Sequence, residues 1–246
     1  MISYKNPARV AGLLYLFVLI LPILVGVSRL SLITDDPATT ANNIVASEWL
    51  FRIGVVSDIG HVMCLLLLAW VLYGLFKSVN KNVALLFLLC ISISVAIQCI
   101  NMINYFAALH VLSGAEYLTV FEEDQLHALA MFYLVDMQTH GIFIAQIFFG
   151  FWLLPLGYLV YKSGYLPRIL GILLMIGCFG YLIHVFQYFL LPSYEVISYP
   201  GLAVATISEV SFLGWLLLKG VKIPSKGADK KSKEEKIETE STKLKS

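Results

Sequence analysis

The chain reads as an all-α integral membrane bundle of six transmembrane helices, with both termini on the cytoplasmic side. Three observations carry that reading. Hydrophobic residues make up 59% of the 246 positions and charged residues only 13%, against about 25% charged in an average soluble domain. The mean hydropathy is +0.82, and apolar runs repeatedly reach the ~20 residues that cross a ~30 Å hydrocarbon slab. The basic residues also alternate between connections: fifteen of the seventeen Lys and Arg fall on one side of a six-span layout, the side expected to face the cytoplasm.

The spans follow from run length, at about 8–28, 53–76, 83–109, 134–161, 169–191 and 200–218. The first has the basic start of a signal peptide (Lys5, Arg9), but its apolar run is too long for an h-region and no A-x-A-like site follows. It is expected to be a retained span, kinked or tilted at Pro22. KSVNK (77–81) separates spans two and three, and KSGYLPR (162–168) separates four and five. In the latter, Pro167 suits the first turn of a new helix, where no amide donor is needed. PSYEVISYP (192–200) separates five and six.

Lys5, Arg9, Lys77, Lys81, Lys162, Arg168 and the nine lysines from Lys219 onward share the cytoplasmic side, whereas Arg29 and Arg52 lie opposite. Asp35, Asp36, Glu48, Glu116, Glu122, Glu123, Asp124 and Glu195 fall opposite as well. This layout belongs to a multi-pass protein of the cell (inner) membrane. Residues 1–220 form the transmembrane domain, and 221–246 read as a disordered, lysine-rich cytoplasmic tail, too polar to bury a core.

Two outer connections are long enough for structure. Pro37 opens a helix leading through Ile44, Val45 and Trp49 into span two, and Thr119 with Glu122 reads as a capping box for an amphipathic segment leading to Asp136. Trp49 and Phe121 are candidate interfacial anchors. The endings Tyr73-x-x-Phe76-Lys77-Ser78 and Tyr158-x-x-Tyr161-Lys162-Ser163 admit a parallel repeat of two hairpins or the ordinary interfacial preference for aromatics and lysine.

A net charge of +1 leaves no nucleic-acid footprint, so the partner implied is the lipid bilayer. Cys64, Cys90, Cys99 and Cys178 all sit in apolar runs, where thiols behave as small hydrophobes. No C-x-x-C spacing is present.

Candidate chemistry comes from ionisable and amide side chains within the spans, which cost ~2.5–3.5 kcal/mol each to insert centrally. Asp58 and His61 lie ~9 and ~13 Å below Arg52, on one helix face. Gln98, Asn101 and Asn104 repeat every three residues in the outer part of span three. Asp136 and His140 are four apart at the outer mouth of span four, with Gln146 deeper. His184 and Gln187 are three apart on span five, and Glu209 is ~15 Å from Lys219 near the middle of span six. These polar groups collect in the outer half, on five helices, as around a pocket open to the outside.

Asp58, His61, Asn101, His140, His184, Gln187 and Glu209 are the pocket candidates. Asp58, His61, His140, His184 and Glu209 are also suitable ligand types for a divalent metal such as zinc, able to activate water, although no H-E-x-x-H signature accompanies them. The competing reading makes the amides and histidines interhelical packing contacts worth ~0.6 kcal/mol each, and makes Asp58–His61 a self-satisfied pair.

RVAGLLYL (9–16), TTANNIVASEWLFRIGVVSD (39–58), SGAEYLTVFEEDQLHALA (113–130), FFGFWLLPLGYLVYKSGYLPRILG (148–171) and GYLIHVFQYFLLP (180–192) together resemble the prokaryotic membrane family catalogued as domain of unknown function 4386. The resemblance spans most of residues 5–218 and is sharpest in KSGYLPRILG. It implies a multipass bacterial or archaeal membrane protein, with an acid at the position of Asp58, and carries no activity. No reaction is assigned by the residues themselves. They are compatible with a sensor or assembly subunit without chemistry, a metal-dependent membrane hydrolase, or a small-solute or proton-coupled transporter.

Overall fold

The computed structural model describes residues 5–221, so the expectation for the lysine-rich tail lies almost wholly outside the described residues. Within them the chain is helical, without strands, and six stretches are long and apolar enough to cross a membrane. Span one is α1 (Lys5–Leu32), followed by the short α2 (Pro37–Ala46) and span two, α3 (Glu48–Phe76). Span three is α4 (Lys81–Asn101) with α5 (Ile103–Val111). Span four runs through α6 (Glu123–Met131), a π-helical segment Phe132–Met137, α7 (Gln138–Phe151) and α8 (Leu153–Ser163). Spans five and six are α9 (Arg168–Leu190) and α10 (Tyr199–Leu218).

The boundaries have local causes. Asp36 caps α2, its carboxylate accepting the Thr39 amide at 2.8 Å and the Thr39 hydroxyl at 2.6 Å. Those bonds hold its carboxyl below the ordinary range. Asn80 caps α4 by accepting the amides of Asn82 and Val83 at 3.1 and 3.2 Å. Gly164 ends α8 with φ +66°, a left-handed conformation open to glycine. Pro167 stands just ahead of the first residue of α9 rather than inside its first turn. Span four breaks at Trp152 because Pro155 has no amide to offer the Phe151 carbonyl.

Three further expectations are corrected. The second span begins at Glu48, five residues before its apolar run, because Glu48 and Arg52 pair one turn apart at 2.5 Å and carry the helix outward. α2 stops at Ala46 instead of running into span two, with Ser47 outside helical geometry between the two helices. The capping box belongs to Glu122 and Gln125, not to Thr119 and Glu122: the Gln125 side chain accepts the Glu122 amide at 3.1 Å. The Thr119 hydroxyl turns back to the Glu116 carbonyl at 2.7 Å.

The six spans form a closed ring. Each packs on its chain neighbours, and α10 returns to pack on α1. One end of the ring carries the connections with Lys77, Lys81, Lys162 and Arg168 and the end of α10 at Lys219 (the lysine end). The other carries α2 and α6, which pack on each other (the cap end). Toward the lysine end the centre is filled by Tyr15, Leu65, Leu68, Phe87, Trp152, Leu156, Phe212 and Leu216, all fully buried. Bare-helix contacts tighten the wall there: a Cβ on either Gly157 or Gly171 would lie 2.6 Å from the other's carbonyl oxygen. Small residues of this kind let helices approach closely where lipid offers no hydrophobic drive for association. Ile23, Trp70, Ile100 and Phe179 point outward, as suits side chains facing lipid.

Candidate functional site

Toward the cap end the centre of the ring is hollow. Two adjoining lobes, of about 280 and 420 Å³, share Pro22, His61, Gln98 and Ile142 in their walls. All six spans contribute to the pair: Arg29 from the first, Asp58 and His61 from the second, Gln98, Asn101 and Tyr105 from the third, Gln138 and Gln146 from the fourth, Tyr181 from the fifth and Glu209 from the sixth.

The inner lobe ends on Glu209, which is 2% exposed. Its Oε1 accepts the Tyr15 hydroxyl at 2.9 Å and its Oε2 accepts the Tyr181 hydroxyl at 2.7 Å. Both tyrosines are held by aromatic packing. Tyr15 lies 6.1 Å from both the Trp152 and Phe212 rings, and Tyr181 lies 5.4 Å from Phe149, edge to face. A buried carboxylate with this support is fixed in place before anything else reaches it.

His61 is placed by a defect in α1. Pro22 lacks the amide that would bond the Val18 carbonyl one turn earlier, and an unpaired carbonyl inside a bilayer is costly. His61 Nδ1 lies 3.0 Å from that oxygen. Since a carbonyl can only accept, Nδ1 carries the proton, and Nε2 is the ring nitrogen not committed to this bond. The sequence pairing of Asp58 with His61 is therefore corrected: Asp58 Oδ2 instead accepts the Tyr105 hydroxyl at 3.1 Å.

The mouth lobe lies nearer the cap end. Arg29 lines it and donates Nη2 to the Leu134 carbonyl at 2.9 Å, tying span one to the π-helical turn of span four. The wider turn spaces its carbonyls differently from an α-helix and leaves one available to a neighbour. Asn101 Nδ2 donates to the Gln138 carbonyl at 2.9 Å, and Asn104 donates to Asn101 Oδ1 at 2.8 Å. Gln98 Nε2 donates to Ser94 Oγ at 3.1 Å, which donates to the Ala145 carbonyl at 3.0 Å. Asn101 thus ties α4 to α7 directly, Gln98 supports the Ser94 bond to α7, and Asn104 on α5 braces Asn101, while Gln98 and Asn101 also line the lobes. Gln138, 1% exposed, lines the mouth with its side-chain oxygen unpartnered.

Of the candidates read from sequence, Asp58, His61, Asn101 and Glu209 come together around the two lobes, whereas His140, His184 and Gln187 line neither. His140 is exposed, bonds its own helix at the Asp136 carbonyl (2.5 Å) and leans on Tyr188. His184 packs 4.8 Å from the Phe143 ring with its Nδ1 unpartnered. Gln187 Nε2 donates to the Leu191 carbonyl at 3.0 Å and closes the end of α9. The metal set Asp58, His61, His140, His184 and Glu209 is corrected accordingly. Two of its histidines line neither lobe, and among the described residues no three His, Cys, Asp or Glu side chains approach one another closely enough to hold an ion.

Tyr15, Tyr181, Tyr105, Arg29 and Gln138 are the site residues that sequence reasoning passed over. The tyrosines are indistinguishable in a linear reading from core aromatics. Arg29 carried a usable signal, since Arg52 on the same side has Glu48 four residues away and Arg29 has no such neighbour.

The profile of the domain of unknown function DUF4386 matches residues 10–220. An uncharacterized protein of Archaeoglobus fulgidus is 31% identical over 172 residues, which cover 69% of this chain and 86% of the relative. No solved structure matches. With the profile extending from α1 to the end of α10, the chain belongs to the DUF4386 family of membrane proteins.

Proposed function

We propose that the chain is a ligand-binding membrane protein without chemistry of its own, a sensor or assembly subunit of the cell (inner) membrane with both termini in the cytoplasm and its cavity open outward. One observation carries this: all six spans place side chains around a cavity that ends on Glu209, and beyond Glu209 toward the lysine end the ring is packed with Trp152, Phe87, Phe212, Leu65 and Leu68. A dead-ended polar cavity suits holding a molecule more than passing one through. The orientation is supported by the lysine and arginine distribution, since Lys77, Lys81, Lys162 and Arg168 share one end of the ring. A metal-dependent hydrolase is disfavoured by the scatter of His140 and His184.

Cysteine accessibility tests the proposal. In a background lacking the four native cysteines, Thr139→Cys in the mouth lobe reacts with a membrane-impermeant maleimide added outside. Leu68→Cys, beyond Glu209, stays unreactive from either face. Reaction of Leu68→Cys from the cytoplasmic face would indicate a through-passage and favour a transporter, and reaction of Thr139→Cys only from the cytoplasm would reverse the orientation.

A further inference from the structure

The inner lobe has a charge and shape that select a class of ligand. Among the described lining residues, three are formally charged: Arg29, Asp58 and Glu209. Arg29 and Asp58 line the same lobe, which leaves Glu209 as the formally charged residue of the other. No Lys, Arg or His forms an ion pair with Glu209 among the described residues. Its two oxygens have one tyrosine hydroxyl each, and a carboxylate has acceptor positions for about two more donors.

The walls beside it are Val18, Leu19, Phe149 and Tyr181, and an aromatic ring attracts a cation that reaches its face. A divalent metal ion needs several oxygen ligands, and the described residues do not cluster to supply them. An organic ammonium needs only the carboxylate, the ring faces and an apolar wall for its carbon chain.

We propose that the inner lobe binds a monovalent organic ammonium, its N–H donors on Glu209 and its alkyl portion against Val18, Leu19 and Phe149. This rests on the binding reading above and adds its ligand class. An unpartnered buried acceptor in the mouth lobe, the Gln138 side-chain oxygen, can take a second N–H on the way in. Tyr15 and Tyr181 act as positioning residues, fixing the carboxylate by donating their only hydroxyl protons to it.

The test uses full-length protein in nanodiscs, with hexylammonium, hexanol and hexanoate as probes at matched ionic strength, read by calorimetry and by thermal unfolding. Hexylammonium is expected to bind about tenfold or more tighter than hexanol, the size of one charged hydrogen bond. Hexanoate is expected to be the weakest, and Glu209→Gln is expected to abolish the preference. Equal binding of hexanol and hexylammonium would overturn the ammonium assignment while leaving a binding cavity in place. Binding of none of the three would likewise overturn it, and the Thr139→Cys labelling above separately decides whether the cavity is open. Should Glu209→Gln fail to fold, the ranking of the three probes on the wild-type protein decides alone.

Discussion

Replacing His61 by Phe should destabilise the bundle only because Pro22 is present. The Val18 carbonyl has no amide partner from Pro22 and takes His61 Nδ1 at 3.0 Å instead. Phenylalanine fills a similar volume but leaves that oxygen unpaired. A buried unpaired group costs about 1–3 kcal/mol, while side-chain hydrogen bonds between membrane helices average ~0.6 and reach ~1.7 kcal/mol in double-mutant cycles. Val18 is buried and the partner is a single fixed ring, so the upper part of the membrane range applies, about 1–1.5 kcal/mol. In a Pro22→Ala background the amide of residue 22 returns, the carbonyl is satisfied within its own helix, and the cost of His61→Phe should fall to about 0.3 kcal/mol or less, within the additivity error of such cycles. The assay is reversible unfolding in mixed micelles for the wild type, the two single variants and the double variant. An equal cost of His61→Phe in both backgrounds would refute the reasoning, because it would mean the ring contributes packing and not a hydrogen bond.

Glu209→Leu should cost about 2–4 kcal/mol by orphaning the hydroxyls of Tyr15 and Tyr181. Glu209→Gln, which keeps polar partners for both, should cost less than half as much in the same unfolding assay. Gly171→Ala should destabilise by about 1–3 kcal/mol, since its Cβ would meet the Gly157 carbonyl at 2.6 Å and push α8 from α9; unchanged stability would mean those helices pack elsewhere. The start of α2 should loosen in acid. Because the Asp36 carboxyl is held low by Thr39, its contribution is full above the ordinary aspartate range (about 3.9) and is lost as pH falls through the lowered folded value. Hydrogen exchange at the Thr39 and Thr40 amides should accelerate over that window in the wild type and show no such step in Asp36→Ala. Arg29→Met should free the Leu134 carbonyl and speed exchange across residues 134–138, while leaving α8 unchanged.

The spans were legible because one-dimensional hydropathy and the side preference of lysine act locally, and the helices lie where those signals put them. What failed at the edges was polar helix, such as Glu48–Arg52, which hydropathy discards but an internal ion pair sustains. Depth along each span was also legible. Asp58, His61, Asn101 and Glu209, assigned to one half by counting residues, line two adjoining lobes. Azimuth was not. His140, His184 and Gln187 sit toward the same end yet line neither lobe, because which helix face points into the cavity depends on the order in which six spans close.

Contacts made across long stretches of chain were the least readable. Nothing near Pro22 announces that His61, forty-three residues beyond Val18, will repair the helix, and nothing near Glu209 names Tyr15, 194 residues away.

Hydroxyl-radical footprinting of the unmodified protein in native membranes tests most directly whether the six spans enclose one wet polar chamber above a dry plug. Oxidation is predicted at His61 and Tyr181, which line the lobes inside the bundle, with Trp152 and Phe87 protected a short distance deeper. Protection of His61 and Tyr181 to the same degree as Trp152 would contradict a solvent-reached cavity and reduce those residues to packing.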